Sequence, residues 1–367
     1  MMKKVIIWLI LLCCFALPAV ALEKGFGQIA MDQVNLRKGP AGDTIGKKQK
    51  GDPLFILGEE TRRGHTWYRV STMNETGKKQ IEAWVRADMV IPPSQLFQNI
   101  TAISGETSLF MALDRNGIPH FGGLLHIAHE NPTHWRDVKA IDIGFHTFYA
   151  LQTDGTVLRE GIRGPAPNHF HQRFVAMSGY DDLFLGQTTE GALLKLNGYS
   201  AHQLLPEGSE IRDFAAWSAI YGLGAYVDGQ GKVHLLEMAD LVGADVAQEM
   251  SSWSDVLRIK LGREVVGGKI TRPVAAALKA DGSVLMSHKD LQAQVSGWQN
   301  ITQIVLGNDF LVGLTGEGKL LCTKPSLAAE TAGWTDQIDI ACGDEFIAGL
   351  TKDGKVLFAG EAWFGLW

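Results

Sequence analysis

Seven tight turns, each ending in glycine, recur along the chain and constrain its fold more than any other feature. Their glycines lie 38, 36, 40, 51, 36 and 36 residues apart. A repeat of this length is typical of folds built from copies of one supersecondary unit. Glycine supplies the positive φ that a two-residue hairpin turn requires. The turns are Asn116-Gly117, Asp154-Gly155, Glu190-Gly191, Gln230-Gly231, Asp281-Gly282, Glu317-Gly318 and Asp353-Gly354.

Short apolar segments flank these turns and predict β-strands. They are partly β-branched, as in Val-Leu-Met after Gly282. One copy cannot bury its own faces, so the copies must pack side by side, and small antiparallel sheets arranged radially give a β-propeller. Four tryptophans open copies at nine residues before a second glycine, as Phe170 does before Gly179, and we expect the tryptophans to pack between sheets: Trp135, Trp253, Trp298 and Trp334.

The repeated segments resemble the regulator of chromosome condensation repeats. The second copy carries the resemblance most clearly, with Trp135-x-Asp137, Gly144, Ala150-Leu151 and Asp154-Gly155-Thr156-Val157. The resemblance covers roughly residues 97–367 and implies a seven-bladed β-propeller. Copies three and four match poorly, and copy five carries an insertion from Arg263 to Pro273. Exported bacterial proteins with such repeats include an inhibitor of β-lactamase, which favours a binding role by analogy only.

The first 21 residues have the organisation of a secretory signal peptide. Lys3-Lys4 precedes an apolar stretch from Val5 to Val20, and Ala19-Val20-Ala21 is a small-x-small cleavage site. The alternative is a retained membrane anchor, although this stretch is short for the roughly 20 residues that span a bilayer. We therefore expect an exported protein of the periplasm or the extracellular space, associated with the cell envelope.

Charge and cysteine content narrow the possible partners. Residues 22–93 carry 12 Lys and Arg against 9 Asp and Glu, whereas residues 94–367 carry 20 against 31. This acidic balance argues against nucleic acid as a partner, because phosphate binding needs a basic surface. Cys322 and Cys342 remain after the leader, and they either form a disulfide or are buried apolar side chains.

Residues 22–93 differ from the repeats and end at Pro92-Pro93. Four motifs in order resemble a bacterial SH3-like domain: Val34-Asn-Leu-Arg-Lys-Gly-Pro40, Lys50-Gly-Asp52, Trp67-Tyr-Arg-Val70 and Ala83-Trp-Val85. The resemblance covers roughly residues 26–92. It implies a small, mostly antiparallel β-barrel of a kind found in cell-envelope proteins, some of which bind peptidoglycan peptides. The resemblance implies no catalytic residues.

Two groups of residues are candidate sites. Arg37, Lys38 and Tyr68 are candidate ligand-binding residues on the barrel, where Trp67 and Trp84 either line a ligand groove or belong to the core. The other group is the histidine cluster between copies one and two, with His126, His129 and His134 as candidate metal ligands. The alternative is a polar loop, because the spacing fits no zinc motif and Pro132 interrupts any helix.

The sequence thus predicts an all-β chain with a signal peptide at 1–21, a small SH3-like β-barrel at 22–93 and a seven-bladed β-propeller at 94–367. We expect an exported, non-enzymatic binding or scaffold protein without a cofactor. The barrel would contact peptidoglycan or another envelope component, and the propeller face would bind a protein. The alternatives are a hydrolase on the propeller face, with or without a metal ion, and a secreted enzyme inhibitor. We also expect the apolar end, residues 361–367, to pack near Phe97 to Gly105 and latch the ring.

Overall fold

The computed structural model describes residues 23–123, 132, 134–144, 147–161, 172–180, 183–197, 200–217, 223–236, 244–266 and 269–362. These residues are mostly β. They form one seven-stranded sheet, called the N-terminal sheet, followed by seven small sheets, called sheets 1 to 7. The predicted signal peptide lies outside the described residues. Within them, no helix is long and apolar enough to cross a bilayer.

The N-terminal sheet is antiparallel throughout, with the spatial order β3-β2-β6-β5-β4-β1-β7. A 3-10 turn at Ala87–Met89 precedes its last strand. Its strands are β1 (Gly25–Ile29), β2 (Val34–Arg37), β3 (Thr44–Lys48), β4 (Pro53–Arg62), β5 (His65–Met73), β6 (Gln80–Arg86) and β7 (Val90–Ile91). Of the four motifs that carry the SH3-like resemblance, three lie or begin on β2, β5 and β6, and Lys50-Gly-Asp52 forms the turn between β3 and β4.

Sheets 1 to 7 each surround one of the predicted glycine turns, which joins the second strand to the third. Sheets 1 to 3 comprise β8 (Ile100–Glu106), β9 (Leu109–Asp114), β10 (Pro119–Gly123); β11 (Val138–Gly144), β12 (Thr147–Gln152), β13 (Val157–Gly161); and β14 (Phe174–Tyr180), β15 (Leu183–Thr188), β16 (Leu193–Asn197), β17 (Ser200–Leu205). Sheets 4 to 7 comprise β18 (Ile211–Trp217), β19 (Leu223–Asp228), β20 (Val233–Leu236); β21 (Val256–Val266), β22 (Lys269–Lys279), β23 (Val284–Met286); β24 (Ile301–Leu306), β25 (Leu311–Thr315), β26 (Leu320–Cys322); and β27 (Gln337–Cys342), β28 (Phe346–Thr351), β29 (Val356–Gly360).

The turn glycines also join each sheet to the next. All seven have positive φ, between 72° and 88°. At six of the seven junctions the glycine carbonyl accepts a hydrogen bond from the N–H of the first residue of the next sheet. A Cβ on Gly117 would lie 2.9 Å from the nitrogen of Val138, so this close approach excludes any side chain there. The last junction runs from Gly354 to Ile100 (3.2 Å) and returns to the start of sheet 1.

Apolar clusters fill the space between neighbouring sheets and make the ring continuous. Separate clusters join sheets 1 and 2, sheets 2 and 3, sheets 3 to 5, sheets 5 and 6, and sheets 6 and 7. A sixth joins sheet 7 to sheet 1. Trp135 and Trp253 are buried in these clusters, while Trp298 and Trp334 pack against them half-buried. The prediction that these tryptophans pack between sheets is confirmed.

The N-terminal sheet is wedged into the seam between sheets 7 and 1. Phe26, which has no exposed surface, contacts the rings of Phe55, Phe110, Phe346 and Phe358 at centroid distances of 5.0, 5.9, 5.2 and 5.6 Å. Two of these partners belong to sheet 7 and one to sheet 1. The N-terminal sheet is therefore part of the ring closure rather than a freely tethered unit.

Three elements differ from the sequence expectation or refine it. Helices occupy Pro93–Leu96, Ala244–Ser252, Lys289–Val295 and Pro325–Thr331, mostly in connections between sheets. The insertion in copy five extends the β21–β22 hairpin, whose pairing continues to Val266 and Lys269. Ala362 is fully buried in the seam cluster with Phe97, but residues 363–367 lie outside the described residues, so the latch stays a prediction.

Candidate functional site

One face of the N-terminal sheet concentrates arginine and tryptophan side chains. Arg37 and Arg69 are both directly opposite Trp84 on neighbouring strands, and Trp67 is opposite Arg86. Residues directly opposite in an antiparallel pair share a face, as do residues two apart on a strand. We call these five residues the arginine–tryptophan face.

The arginines of this face are held in different ways. The guanidinium of Arg37 donates to the carbonyl of Gly42 (2.7 Å) and lies 6.0 Å from the ring centroid of Trp67, within reach of a cation–π interaction. Arg69 and Arg86 form exposed ion pairs with Glu82 (4.0 Å) and Asp88 (2.6 Å). Exposed ion pairs contribute little net free energy. A ligand carboxylate can therefore replace Glu82 or Asp88 at low cost.

The two tryptophans differ in exposure. Trp67 is only 7% exposed, and its indole Nε1 has no hydrogen-bond partner among the described residues. Trp84 is half-buried, which leaves part of its ring at the surface. The face thus offers donors and aromatic surface, and two exposed carboxylates share it: Glu60, opposite Trp67, and Glu82, two residues before Trp84.

The predicted ligand residues are not brought together on this face. Tyr68 is on the opposite side of β5, in the core of the N-terminal sheet with Val70 and Val85. Burial, followed by the charges of Glu23 and Glu59, raises its pKa to about 12. Lys38 is exposed beyond the end of β2. Of the three residues, only Arg37 belongs to the arginine–tryptophan face.

A second candidate is a cavity of about 220 Å³ on the axis of the ring, which we call the axial cavity. The first strands of all seven sheets line it. Its charged lining residues are Glu106, Asp142 and Lys260, and Asp213 and Asp339 lie on two of the other lining strands, β18 and β27. A cavity at the meeting point of seven strands would suit a catalytic site. Whether its carboxylates could serve such a site depends on the groups that they already contact.

Three of these carboxylates tie neighbouring sheets together. Asp142 accepts from the N–H of Gly179 (2.9 Å), Asp213 from that of Ile259 (2.8 Å) and Asp339 from that of Ile103 (3.0 Å). Each acceptor and donor lie on successive sheets. Burial raises the pKa of all three carboxyls, although these hydrogen bonds and Lys260 oppose the shift. The sequence signal was an acid inside an apolar strand, as in Ile141-Asp-Ile143, and our sequence reasoning missed it.

A buried ion pair lies beside the axial cavity, in a smaller cavity that shares Glu106, Trp217, Leu261 and Leu306 with it. Arg263 and Asp344, both less than 10% exposed, are 3.2 Å apart, and Arg263 also donates to Asn308 (2.7 Å). The carboxyl of Glu106 lies close by, in contact with the hydroxyl of Tyr180 (3.4 Å). Burial raises the pKa of Glu106 to about 8, although the charge of Arg263 opposes this shift.

The metal and disulfide hypotheses have different outcomes. His126 and His129 lie outside the described residues, while His134 is exposed in a turn. Among the side chains that the structure describes, no group of three His, Cys, Asp or Glu residues is arranged to hold a metal ion. Cys322 and Cys342 are free thiols, and burial raises the pKa of both.

Comparison with family models finds no match, and comparison with curated proteins finds none either. Among solved structures, the ectodomain of the Physcomitrella patens receptor kinase CR4 is 10% identical, with a TM-score of 0.48 over 73% of this chain and 74% of that chain. The WD40 ectodomain of the Arabidopsis thaliana receptor kinase ACR4 is 12% identical, with a TM-score of 0.47 over 73% and 96%. Prp20p from Saccharomyces cerevisiae, described with its binding to Gsp1p and histones, is 12% identical, with a TM-score of 0.37 over 71% and 72%. All three TM-scores are below 0.5, and the ring architecture follows from the seven sheets and the junctions between them.

Proposed function

We propose that the chain is an exported, non-enzymatic binding protein, in which an SH3-like barrel at 22–93 is docked on a seven-bladed β-propeller at 94–367. The barrel contacts peptidoglycan or another anionic envelope polymer, and the propeller binds a protein partner. Export depends on residues 1–21 acting as a signal peptide.

The observation that carries the envelope contact is the arginine–tryptophan face. Guanidinium groups match carboxylates in a planar, two-pronged geometry, and aromatic rings give a flat apolar surface at low entropic cost. Three arginines and two tryptophans on one sheet face therefore suit a polymer that alternates ring-shaped units with carboxylates. Arg and Trp are also the residue types that most often dominate binding energy.

The engagement of the axial carboxylates favours binding over catalysis. Asp142, Asp213 and Asp339 each accept a backbone N–H from the next sheet, so their carboxyl oxygens already stabilise the ring. A general base needs a carboxylate within hydrogen-bond reach of a substrate proton. A role as inter-sheet clamps accounts for these three residues without chemistry.

Co-sedimentation of the intact mature protein with purified peptidoglycan tests the proposal. The variants are Arg37→Ala and Arg69→Ala, with Lys78→Ala as the control because it removes the same charge from the exposed β5–β6 turn. A cation near an anionic surface contributes about 1 kcal/mol, so each arginine variant should bind roughly fivefold more weakly. Raised salt should release the protein.

Two outcomes of this experiment would contradict the proposed envelope contact. No sedimentation of the wild type at low salt would refute the envelope contact. Sedimentation that is equally strong for all three variants would place the contact elsewhere on the chain. The intact protein is required because separating the barrel from the ring would expose Phe26 on the barrel and its partners Phe110, Phe346 and Phe358 on the ring.

A further inference from the structure

One wall of the axial cavity carries an ammonium group that the ring does not use. Lys260, on sheet 5, lines the cavity and is nevertheless exposed, so solvent reaches it there. Among the described residues its ammonium forms no hydrogen bond or ion pair. Three carboxylates attract it from a greater distance: Asp142, Asp213 and Asp339. A lysine ammonium has three donors, and these remain available to a ligand in the cavity.

The other side of the axial cavity carries an acceptor. Asp142 is on sheet 2, which is separated from sheet 5 by two sheets in one direction and three in the other. Its oxygens accept from the N–H groups of Gly179 (2.9 Å) and Ile143 (3.0 Å) and from the hydroxyl of Ser104. A carboxylate has about four acceptor positions. One position of Asp142 is therefore left for a ligand, across the cavity from the ammonium of Lys260.

Two neutral side chains add one hydrogen-bonding group each. Ser178, on sheet 3, accepts from the N–H of Ala216 (3.1 Å), and its own O–H has no acceptor among the described residues. Gln303, on sheet 6, donates from its amide nitrogen to Asp339 (2.7 Å), and its amide oxygen has no donor in the described part of the chain. Both side chains line the cavity. Unused donors and acceptors from four sheets thus meet on the axis.

The charges of the lining balance at neutral pH. Burial raises the pKa of Glu106 to about 8, so this carboxyl keeps its proton at pH 7. Asp142 and Lys260 are then the two charged groups of the described lining, and they have opposite signs. Two further acids lie outside the lining and have partners on neighbouring sheets: Asp213 with Arg258 (3.9 Å) and Asp339 with Gln303 (2.7 Å). A neutral ligand suits this lining, because Asp142 would repel an anion and Lys260 would repel a cation.

The size and the apolar part of the lining narrow the ligand further. The axial cavity, at about 220 Å³, has the volume of about seven water molecules in the liquid. A single sugar ring with its hydroxyls displaces a similar volume. Such a ring carries hydroxyls at its edge and C–H groups on its faces. Ile103, Trp217 and Val305 provide apolar lining for the C–H groups, between the polar groups that the hydroxyls would meet.

We propose that the axial cavity binds a neutral polyol of the size of a monosaccharide. One hydroxyl donates to Asp142, and another accepts from Lys260 on the opposite side of the cavity. The hydroxyl of Ser178 and the amide oxygen of Gln303 hold the remaining hydroxyls. Hydrogen bonds to charged groups are the stronger ones, so Asp142 and Lys260 contribute most of the affinity. This binding activity is separate from the envelope contact and from the protein partner of the proposed function.

Isothermal titration calorimetry of the intact mature protein at pH 7 tests the class of ligand. The neutral probes are glucose, galactose and mannose, which differ only in the orientation of their hydroxyls. Two charged probes keep the sugar ring, namely glucuronate with a carboxylate and glucosamine with an ammonium group. At least one neutral sugar should bind in the millimolar range or more tightly. Both charged analogues should bind about fivefold more weakly than that sugar, because each meets a like charge in the cavity.

Two variants with matched controls test the position of the site. Lys260→Met should weaken binding of the best neutral sugar about tenfold or more, since it removes a charged hydrogen-bond donor. Lys289→Met, on the exposed helix Lys289–Val295 outside the cavity, should leave binding unchanged. Val305→Phe should abolish binding by filling the cavity without removing a hydrogen bond. Val175→Phe, the same change at a residue that is 49% exposed and does not line the cavity, should have no effect.

Three outcomes would overturn the proposal. The first is that none of the three neutral sugars binds. The second is tighter binding of glucuronate or of glucosamine than of every neutral sugar, which would make the cavity a site for an anion or a cation. The third is sugar binding that survives Val305→Phe in a folded protein, which would place the sugar elsewhere on the chain. If Lys260→Met lowers the melting temperature, the comparison of Val305→Phe with Val175→Phe decides the position.

Discussion

Replacing Phe26 by alanine should uncouple the N-terminal sheet from the ring. Phe26 is fully buried, and removal of a buried phenylalanine side chain costs about 3–5 kcal/mol. It contacts four aromatic rings, and each such pair adds about 0.5–1.5 kcal/mol beyond the buried area. We therefore expect a loss of about 5 kcal/mol in the free energy of unfolding.

Differential scanning calorimetry of the intact mature protein measures the uncoupling. The wild type should unfold in one transition, because the seam cluster joins the N-terminal sheet to sheets 1 and 7. Phe26→Ala should separate the N-terminal sheet into a transition of its own at lower temperature. Phe184→Ala is the control, since Phe184 is equally buried against Tyr149 and Phe174 but lies away from the seam.

The control defines the refuting result. Phe184→Ala should lower stability by about 3–5 kcal/mol and still unfold in one transition. If Phe26→Ala costs less than about 1 kcal/mol, or if both variants unfold identically, the N-terminal sheet does not help to close the ring.

Two further predictions concern the ring itself. Gly117→Ala should lower the free energy of unfolding, measured by chemical denaturation, by at least about 2 kcal/mol, because a Cβ would lie 2.9 Å from the nitrogen of Val138 and positive φ adds its own cost. In the control Gly208→Ala no atom lies within 4 Å of the added Cβ, so only the cost of positive φ, about 1–2 kcal/mol, should be lost. Equal losses would contradict the junction. Folding raises the pKa of Glu106 from 4.5 to about 8, so the folded state keeps this proton to a higher pH than the unfolded state does. The free energy of unfolding should therefore fall as the pH rises from about 4.5 to about 8. Glu106→Gln should remove that part of the pH dependence and Glu82→Gln should not; an unchanged pH profile in Glu106→Gln would refute the buried protonated carboxyl.

The turns could be predicted from the sequence because their chemistry is local. Asn-Gly and Asp-Gly pairs specify a tight turn whatever surrounds them, and each predicted glycine has positive φ in the structure. Their second role, as acceptors for the next sheet, depends on contacts between distant residues. It could only be inferred once the sheets were placed side by side.

The candidate site was harder to predict because both faces of β5 are buried near its start. Trp67 and Tyr68 are each 7% exposed, so alternation along the strand did not distinguish core from surface. The Tyr68 side is covered by the sheet's own core, whereas Trp67 is partly covered by Arg37. The extra strand Ser200–Leu205 was missed for a related reason, since its repeat matched the pattern poorly.

The β-bulge at the start of each inner strand, which is the first strand of each of sheets 1 to 7, left no signal in a single repeat. Val175, Leu257 and Ile338 each read as one more apolar residue of a strand, and sheet alternation alone would have placed them in the core. Only the shift in pairing after the first residue of each inner strand explains their exposure.

Amide hydrogen exchange at the junction of sheets 7 and 1 tests the closed ring most directly. The N–H of Ile100 donates to Gly354, as that of Val138 donates to Gly117 and that of Ile301 to Gly282. If the ring is closed, the peptide containing Ile100 should be as strongly protected as those containing Val138 and Ile301, since all three open only with the ring. Fast exchange at Ile100 with slow exchange at the other two would show an open seam and contradict the account.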